Sequence, residues 1–222
     1  MIDSGKINSQ VTQLQQYDIA IQNFKIKYKY LPGDAPTFGG DGNGMVQCPI
    51  ANCGANRDTG FFTEIRNFWV NTSEMSNFPI KYNGTITGNI IKAGVNIPRL
   101  KIGNKLSSVV VGESDLDRPT PFWPQPYYYL GYIIEQNGYL NTANAFTSQE
   151  AVSLDQKIDD GIANTGNILA VGGGGGVSGL GYPVNSTAGS GCVVSSDLSK
   201  YNLSSTSQYP CSLALKMFSS GG

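Results

Sequence analysis

The chain has 222 residues, a formal net charge of -1, no histidine, and charged residues at only 14% of its positions. This length fits a single domain, and the near-neutral charge balance gives no electrostatic basis for binding nucleic acid. The lack of histidine excludes Ser-His-Asp and Cys-His catalysis and every His-ligated metal site. Carboxylate or lysine chemistry stays open, but no residue pair supports it, so we do not expect an enzyme.

An amphipathic helix is predicted at the start of the chain, over roughly residues 4 to 29. Apolar residues recur there at steps of three, four or seven, which is the period of a helix with one buried face. Pro32 ends the pattern because proline cannot continue a helix. The apolar face that we expect to be buried consists of Ile7, Val11, Leu14, Ile21, Phe24 and Tyr28.

A loop and a second helix follow. Residues 33 to 60 are rich in glycine, proline and aspartate, which predicts an irregular loop. Helical spacing then returns in residues 63 to 75, with Thr63 as the expected N-cap. Trp69 on this second helix is expected to lie in the core.

Residues 78 to 139 are predicted to form an antiparallel sheet with short connections. Three segments, 85–97, 105–114 and 126–134, are rich in β-branched and aromatic residues and are interrupted by Gly, Asn and Pro. The sequence therefore places all of the predicted strands in the middle of the chain.

The C-terminal part is predicted to contain one helix followed by loops. Helical spacing returns from 147 and ends at Gly161. From residue 162 onwards glycine and serine are frequent, and we expect a loop there. The five glycines at 172–176 lack the Lys-Ser/Thr that a phosphate-binding loop requires.

The four cysteines form two local pairs, and we favour Cys48–Cys53 and Cys192–Cys211 among the three connectivities. A four-thiolate zinc site is the alternative, although its cysteines usually come in pairs with two residues between them. Disulfides indicate an oxidising compartment outside the cytoplasm. Because no signal peptide or membrane-spanning apolar stretch is present, we interpret the chain as an exported protein without its export signal.

The order of these elements and two segments resemble the superfamily of type IV pilins and type II secretion pseudopilins. The segment "QLQQYDIAIQNFKIKYKYLPGD", residues 13–34, is similar to the second half of the family's long N-terminal helix and the loop that follows. The segment "LDQKIDDGIANTGNILA", residues 154–170, is similar to one in which an Asp-Asp-Gly turn follows a short helix. The middle of the chain matches only in pattern.

The resemblance implies an α+β, pilin-like fold in which a long N-terminal α-helix packs on an antiparallel β-sheet with extended loops. Residues 1–222 would form a single domain. Within it, residues 1–31 correspond to the second half of the long helix. Residues 32–222 form a head that contains the sheet and a disulfide-closed C-terminal loop.

The same resemblance implies a structural, non-catalytic subunit of a type IV pilus or a type II secretion pseudopilus. Its partners are other copies or related pilin subunits, and the missing apolar half of the helix anchors it in the inner membrane. The implied location is the inner membrane and periplasm before assembly, and a periplasmic pseudopilus or an extracellular pilus afterwards. We expect the chain as given to be a soluble monomer.

Two acidic loops are candidates for calcium, because calcium binds hard oxygen ligands at sharp turns. They are "GDAPTFGGDGNG", residues 33–44, and "LDQKIDDG", residues 154–161. Neither has the twelfth-position glutamate of the full calcium-loop pattern, and Asp and Asn are also common turn residues. Charge density favours the second loop, with Asp155, Asp159 and Asp160 as ligands. No other cofactor is expected.

An aromatic segment, residues 122–132, provides the alternative function. It holds six aromatic side chains in eleven positions, and aromatic residues dominate contact surfaces. A secreted adhesin or carbohydrate-binding module would use Phe122, Trp123 and Tyr128 for binding. Alternation along a strand predicts that about half of the segment is buried.

Overall fold

The computed structural model describes residues 4–46, 64–75, 78, 80–85, 92–103, 107–112, 126–136, 139–172, 182–183 and 191–217. In these residues the fold is α+β, with an α-helix at the start, two shorter α-helices further along the chain, and an antiparallel sheet. The helices are α1 Ser4–Tyr28, α2 Glu64–Ser73 and α3 Ser148–Ile158. The strands are β1 Ser107–Gly112, β2 Tyr127–Gln136, β3 Tyr139–Ala143, β4 Ile168–Gly172, β5 Tyr182–Pro183, β6 Val193–Val194, β7 Asp197–Tyr201 and β8 Cys211–Lys216.

Helix α1 confirms the predicted N-terminal helix to within one residue at its end. Lys29 adopts a left-handed conformation, with φ 68°, directly after the last helical residue, and its N–H bonds to the carbonyl of Lys25. Pro32 then prevents any continuation. Of the predicted apolar face, Ile7, Leu14, Ile21 and Phe24 are buried, whereas Val11 and Tyr28 are half-buried.

The buried face of α1 also contains two polar residues, which the apolar pattern did not reveal. The carboxamide oxygen of Gln10 accepts a hydrogen bond from the N–H of Lys101 at 2.7 Å. The Oδ1 atom of Asp18 accepts one from the hydroxyl of Tyr128 at 2.9 Å, which links α1 to β2. Burial raises the pKa of Asp18 to about 6, although the hydrogen bond from Tyr128 lowers it.

An aromatic cluster joins α1, α2 and the sheet. Trp69 is fully buried, as predicted, and packs edge-on against Tyr17 of α1, with ring centroids 5.1 Å apart. On another side it stacks on Tyr128 of β2, at 6.2 Å. Tyr17 in turn stacks on Phe78 at 5.3 Å. The helices are therefore fixed to the sheet through large rings, whose burial is a major source of stability.

The main sheet has six strands in the order β1-β2-β8-β4-β5, with β3 also paired to β2. Every pairing in it is antiparallel, and β8 lies between β2 and β4, so that Leu213 is opposite both Leu130 and Ala170. The prediction of a loop from residue 162 onwards was therefore wrong. All residues from Cys211 to Leu215 are buried, so the strand lacks the alternation by which half-exposed strands are recognised.

The strand predicted in residues 85–97 is also wrong where the structure describes it. Residues 92–97 form a turn, closed by an isolated bridge between Ala93 and Ile97. The side chain of Asn96 accepts from the N–H of Lys92 and donates to the carbonyl of Asn83, at 2.8 and 2.6 Å. This asparagine provides locally the hydrogen bonds that a neighbouring strand would otherwise supply.

The disulfide Cys192–Cys211 is present, with an S–S distance of 2.04 Å, and confirms the predicted C-terminal pairing. It attaches the first residue of β8 to the residue before β6, so it does not close a terminal loop as predicted. Because two of the four thiols are bonded to each other, the four-thiolate zinc alternative is excluded. The other predicted pair, Cys48–Cys53, lies outside the described residues.

Candidate functional site

The first acidic loop, residues 33–44, follows α1 after a short link and folds back on itself, with the N–H of Gly42 bonded to the carbonyl of Asp34. Its short 3-10 turn, Pro36–Phe38, places Phe38 against Phe24 of α1, with ring centroids 5.7 Å apart. Gly40 lies directly over Asp34, because a Cβ atom at position 40 would sit 2.1 Å from the backbone carbon of Asp34. This close approach requires glycine and fixes the backbone of Asp34.

Three carboxylates converge at this loop. Asp34, Asp41 and Glu64 each offer one oxygen, and these oxygens all lie within 4.8 Å of one another. Asp34 and Glu64 are fully buried, whereas Asp41 is exposed. The Oδ2 atom of Asp34 accepts a hydrogen bond from the N–H of Gly44 at 3.1 Å, but its buried Oδ1 has no hydrogen-bond partner.

Helix α2 fixes this cluster from the other side. Glu64 is the first residue of the helix, where the helix dipole favours a negative side chain. Its Oε1 atom accepts from the N–H of Asp41 at 3.0 Å, and the N–H of Gly33 donates to Asn71 of α2 at 2.9 Å. Burial raises the pKa of Asp34, and hydrogen bonding from Gly44 opposes that rise.

The second acidic loop, residues 154–161, contains the predicted calcium ligands Asp155, Asp159 and Asp160. The structure brings one oxygen of each within 4.8 Å of the others. However, all six carboxylate oxygens accept hydrogen bonds from the chain. Their donors are Gly161, Ile162, Asn167 and Ile168 through backbone N–H groups, Thr165 and Tyr201 through hydroxyls, and Asn167 through its side chain.

These hydrogen bonds give the carboxylates of the second acidic loop a role in the fold. Asp159 binds the backbone at the start of β4, and buried Asp155 accepts the Tyr201 hydroxyl of β7 at 2.8 Å. Burial raises the pKa of Asp155 to about 7, a rise that the hydrogen bond from Tyr201 reduces. The acidic residues that the density of charge in the sequence favoured as calcium ligands therefore connect α3 to two strands.

The aromatic binding surface predicted for residues 122–132 is not supported at Tyr128. This side chain is fully buried, between Trp69 and Asp18, so it cannot contact a ligand. Tyr127 and Tyr129 are buried as well, which exceeds the half-burial that alternation predicts. Phe122 and Trp123 lie outside the described residues.

The outer face of α1 is a feature that the sequence analysis missed. It carries two exposed isoleucines, Ile19 at 51% and Ile26 at 69% of full exposure, separated by two helical turns. The exposed positions from Thr12 to Ile26 are uncharged, and the exposed Lys27 follows directly after them. The residues that define the outer face are Thr12, Gln15, Gln16, Ile19, Gln22 and Ile26. The seven-residue spacing of the isoleucines was the available sequence signal.

Comparison with known proteins found no matching family model, no matching curated protein and no matching solved structure. Among the helices in the described ranges, none is both long enough and apolar enough to cross a membrane.

Proposed function

We propose that the protein is a non-enzymatic structural subunit of a filament of the type IV pilin and pseudopilin class. The observation that carries this proposal is the uncharged outer face of α1 with its exposed Ile19 and Ile26. Interfaces between proteins are depleted of charged residues at their centre. An exposed, uncharged helix face is therefore suited to pack against other copies of the chain.

The inner face of the same helix supports this division of roles. Phe24, Tyr17 and Asp18 hold α1 to the rest of the fold, through ring contacts and the hydrogen bond to Tyr128. One face of α1 is thus committed to the head, which leaves the other face for subunits. The resemblance of residues 13–34 to the family's helix, and the antiparallel sheet, agree with this arrangement.

The first experiment reads the coding sequence upstream of Met1. The proposal expects a basic leader, a glycine cleavage site, and then an apolar run with glutamate at its fifth position. A reading frame that begins at Met1 would contradict it. The filament is then either a type IV pilus or a secretion pseudopilus, with the inner membrane as the site of assembly.

The second experiment tests the outer face of α1 directly. In cells producing the full-length protein, the double substitution Ile19→Lys and Ile26→Lys should abolish filaments recovered by shearing. The matched control is Leu203→Lys, since Leu203 is 63% exposed and lies in a turn between β7 and β8. Normal filaments from the double variant, with the isolated head folded as in wild type, would refute the proposal.

The alternative, an adhesin or carbohydrate-binding module, has no specific support among the described residues. It depended on Phe122, Trp123 and Tyr128, and only the first two remain as candidates after the burial of Tyr128.

A further inference from the structure

We propose that the first acidic loop binds a calcium-like divalent cation through the carboxylates of Asp34, Asp41 and Glu64. The proposal is independent of filament assembly. It concerns a cluster formed by residues from two parts of the chain, the exit of α1 and the first turn of α2.

A buried side-chain oxygen of Asp34 supports a cation at this site. Its side chain is fully buried, and its Oδ1 atom has no hydrogen-bond partner among the described atoms. The other oxygen, Oδ2, accepts a hydrogen bond from Gly44, so Oδ1 is the atom without compensation, and buried charges are normally paired or bound to a metal. Since the two oxygens of one carboxylate share a carbon atom, the unpartnered Oδ1 lies beside the convergence point of the three side chains. A cation there would compensate it.

The distances between the three carboxylate oxygens also fit a single calcium ion. Calcium binds oxygen at about 2.3–2.6 Å, so two ligands on opposite sides of one ion are at most about 5 Å apart. The three carboxylate oxygens lie within 4.8 Å of one another, which meets this limit without rearrangement of the backbone. The positions are also held in place, because the Asp41 N–H is bonded to Glu64 and Gly40 packs on Asp34.

The ligand atoms indicate which kind of ion the site binds. The ligands are all oxygens, which hard cations prefer to the nitrogen and sulfur ligands of zinc. Asp41 is exposed, so water can reach the site and complete the six to eight ligands that calcium takes. Magnesium requires shorter bonds and a more regular octahedron, and an irregular loop suits calcium better.

The test is calorimetric titration of the full 222-residue chain with calcium chloride, together with thermal unfolding in calcium and in EDTA. We expect saturable one-site binding. We also expect calcium at about a hundred times its Kd to raise Tm by about 5–10 °C. Magnesium chloride, used as a competitor, should displace calcium only weakly. No saturable binding and no Tm shift would overturn the proposal.

The decisive variant is Asp34→Asn, which keeps the shape of the side chain and removes its charge. Calcium should bind at least tenfold more weakly, while Tm in EDTA should be no lower than wild type because a buried charge has been removed. Asp41→Asn, at an exposed position, repeats the test without altering the buried side. The matched control is Asp160→Asn in the second acidic loop, which should bind calcium as wild type does.

Each outcome of this comparison decides the matter. Unchanged affinity in both Asp34→Asn and Asp41→Asn overturns the assignment, even if the protein binds calcium. Loss of binding in Asp160→Asn alone would place the ion in the second acidic loop and equally overturn it. Loss in the first two variants with retention in the third supports the site.

Discussion

The two acidic loops have similar sequences but differ in what surrounds their carboxylates. In the second, six oxygens from three aspartates all accept hydrogen bonds from the chain. In the first, the buried Oδ1 of Asp34 accepts none. The number of acidic residues at a glycine turn is therefore a poor guide to metal binding. The number of hydrogen-bond donors that the chain supplies to their carboxylate oxygens is a better one. Where every carboxylate oxygen accepts a hydrogen bond from the chain, the carboxylates stabilise the fold.

The loops also differ in what holds them. The first rests on an aromatic contact between Phe38 and Phe24 of α1. The second lies beside β7, which the disulfide Cys192–Cys211 brackets together with β6. We therefore expect the first to respond to changes in core packing and in metal, and the second to respond to covalent and hydrogen-bond changes.

The largest expected effect is that of Phe24→Ala, which removes a fully buried ring from beneath the first acidic loop. Truncating a buried phenylalanine typically costs about 3–5 kcal/mol. Thermal or denaturant unfolding should show this loss, and calcium affinity should fall with it because Phe38 loses its support. Gln16→Ala, at an exposed position of the same helix, should change stability by less than about 0.5 kcal/mol. Equal and small changes in both variants would mean that α1 is not packed as described.

Removal of the disulfide is expected to have the next largest effect on stability. Replacing Cys192 and Cys211 together by alanine reopens a loop of about 20 residues, which should cost about 3 kcal/mol. We expect the loss to be the same in EDTA and in calcium, since the first acidic loop is not involved. Peptide mapping with and without reductant checks the pairing. A loss that appears only in calcium would mean that the two loops are coupled.

Much of the helical structure could be predicted, because α1 combines regular apolar spacing with a proline stop and α3 ends at a glycine turn. Strands were harder. β8 is buried along nearly its whole length, so it shows no alternation, and serine and glycine around it resemble a loop. The turn at residues 92–97 shows the reverse error: Val95 and Ile97 have high strand propensity, but the hydrogen bonds of Asn96 decide the conformation.

The candidate metal centre could be predicted only in part. Asp34 and Asp41 belong to a segment that the sequence analysis named, but Glu64 is 23 residues beyond Asp41, and no local pattern joins them. The orphaned oxygen of Asp34 is a property of packing, which sequence does not contain. Conversely, Tyr201 and Asn167 donate hydrogen bonds to the aspartates of the second loop from a distant strand and from a turn, and charge density in the sequence does not show these partners.

A moderate effect is expected for Asp159→Ala. Its carboxylate accepts hydrogen bonds from the backbone of Asn167 and Ile168, at the start of β4. Hydrogen bonds to charged groups contribute about 1.5–3 kcal/mol, so we expect a loss of about 2 kcal/mol. This loss should be identical with and without calcium. The matched change in the first loop, Asp41→Ala, should cost less than this in EDTA, because its hydrogen bonds from Asn43 are exposed, and its deficit relative to wild type should be larger in calcium. If both variants depended on calcium alike, the contrast between the loops would be wrong.

The last prediction is a pH dependence and concerns the proton on Asp155. Its pKa is raised from 3.8 to about 7 in the folded protein, mainly by burial. The folded state therefore binds this proton more tightly than the unfolded state. The resulting stabilisation is complete below about pH 4 and is lost as pH rises through about 7. The free energy of unfolding should fall by up to about 1.4 kcal/mol per pH unit in this interval.

Asp155→Asn tests this titration, because asparagine keeps an oxygen for the Tyr201 hydroxyl but cannot titrate. Denaturant unfolding in EDTA at intervals from pH 4 to pH 8 should show a shallower pH dependence in the variant than in wild type. Asp18, whose pKa is raised to about 6, gives a slope of the same sign in both proteins. The quantity to examine is therefore the difference between the two curves. If this difference stays constant across the interval, the proton on Asp155 does not contribute to the pH dependence of stability.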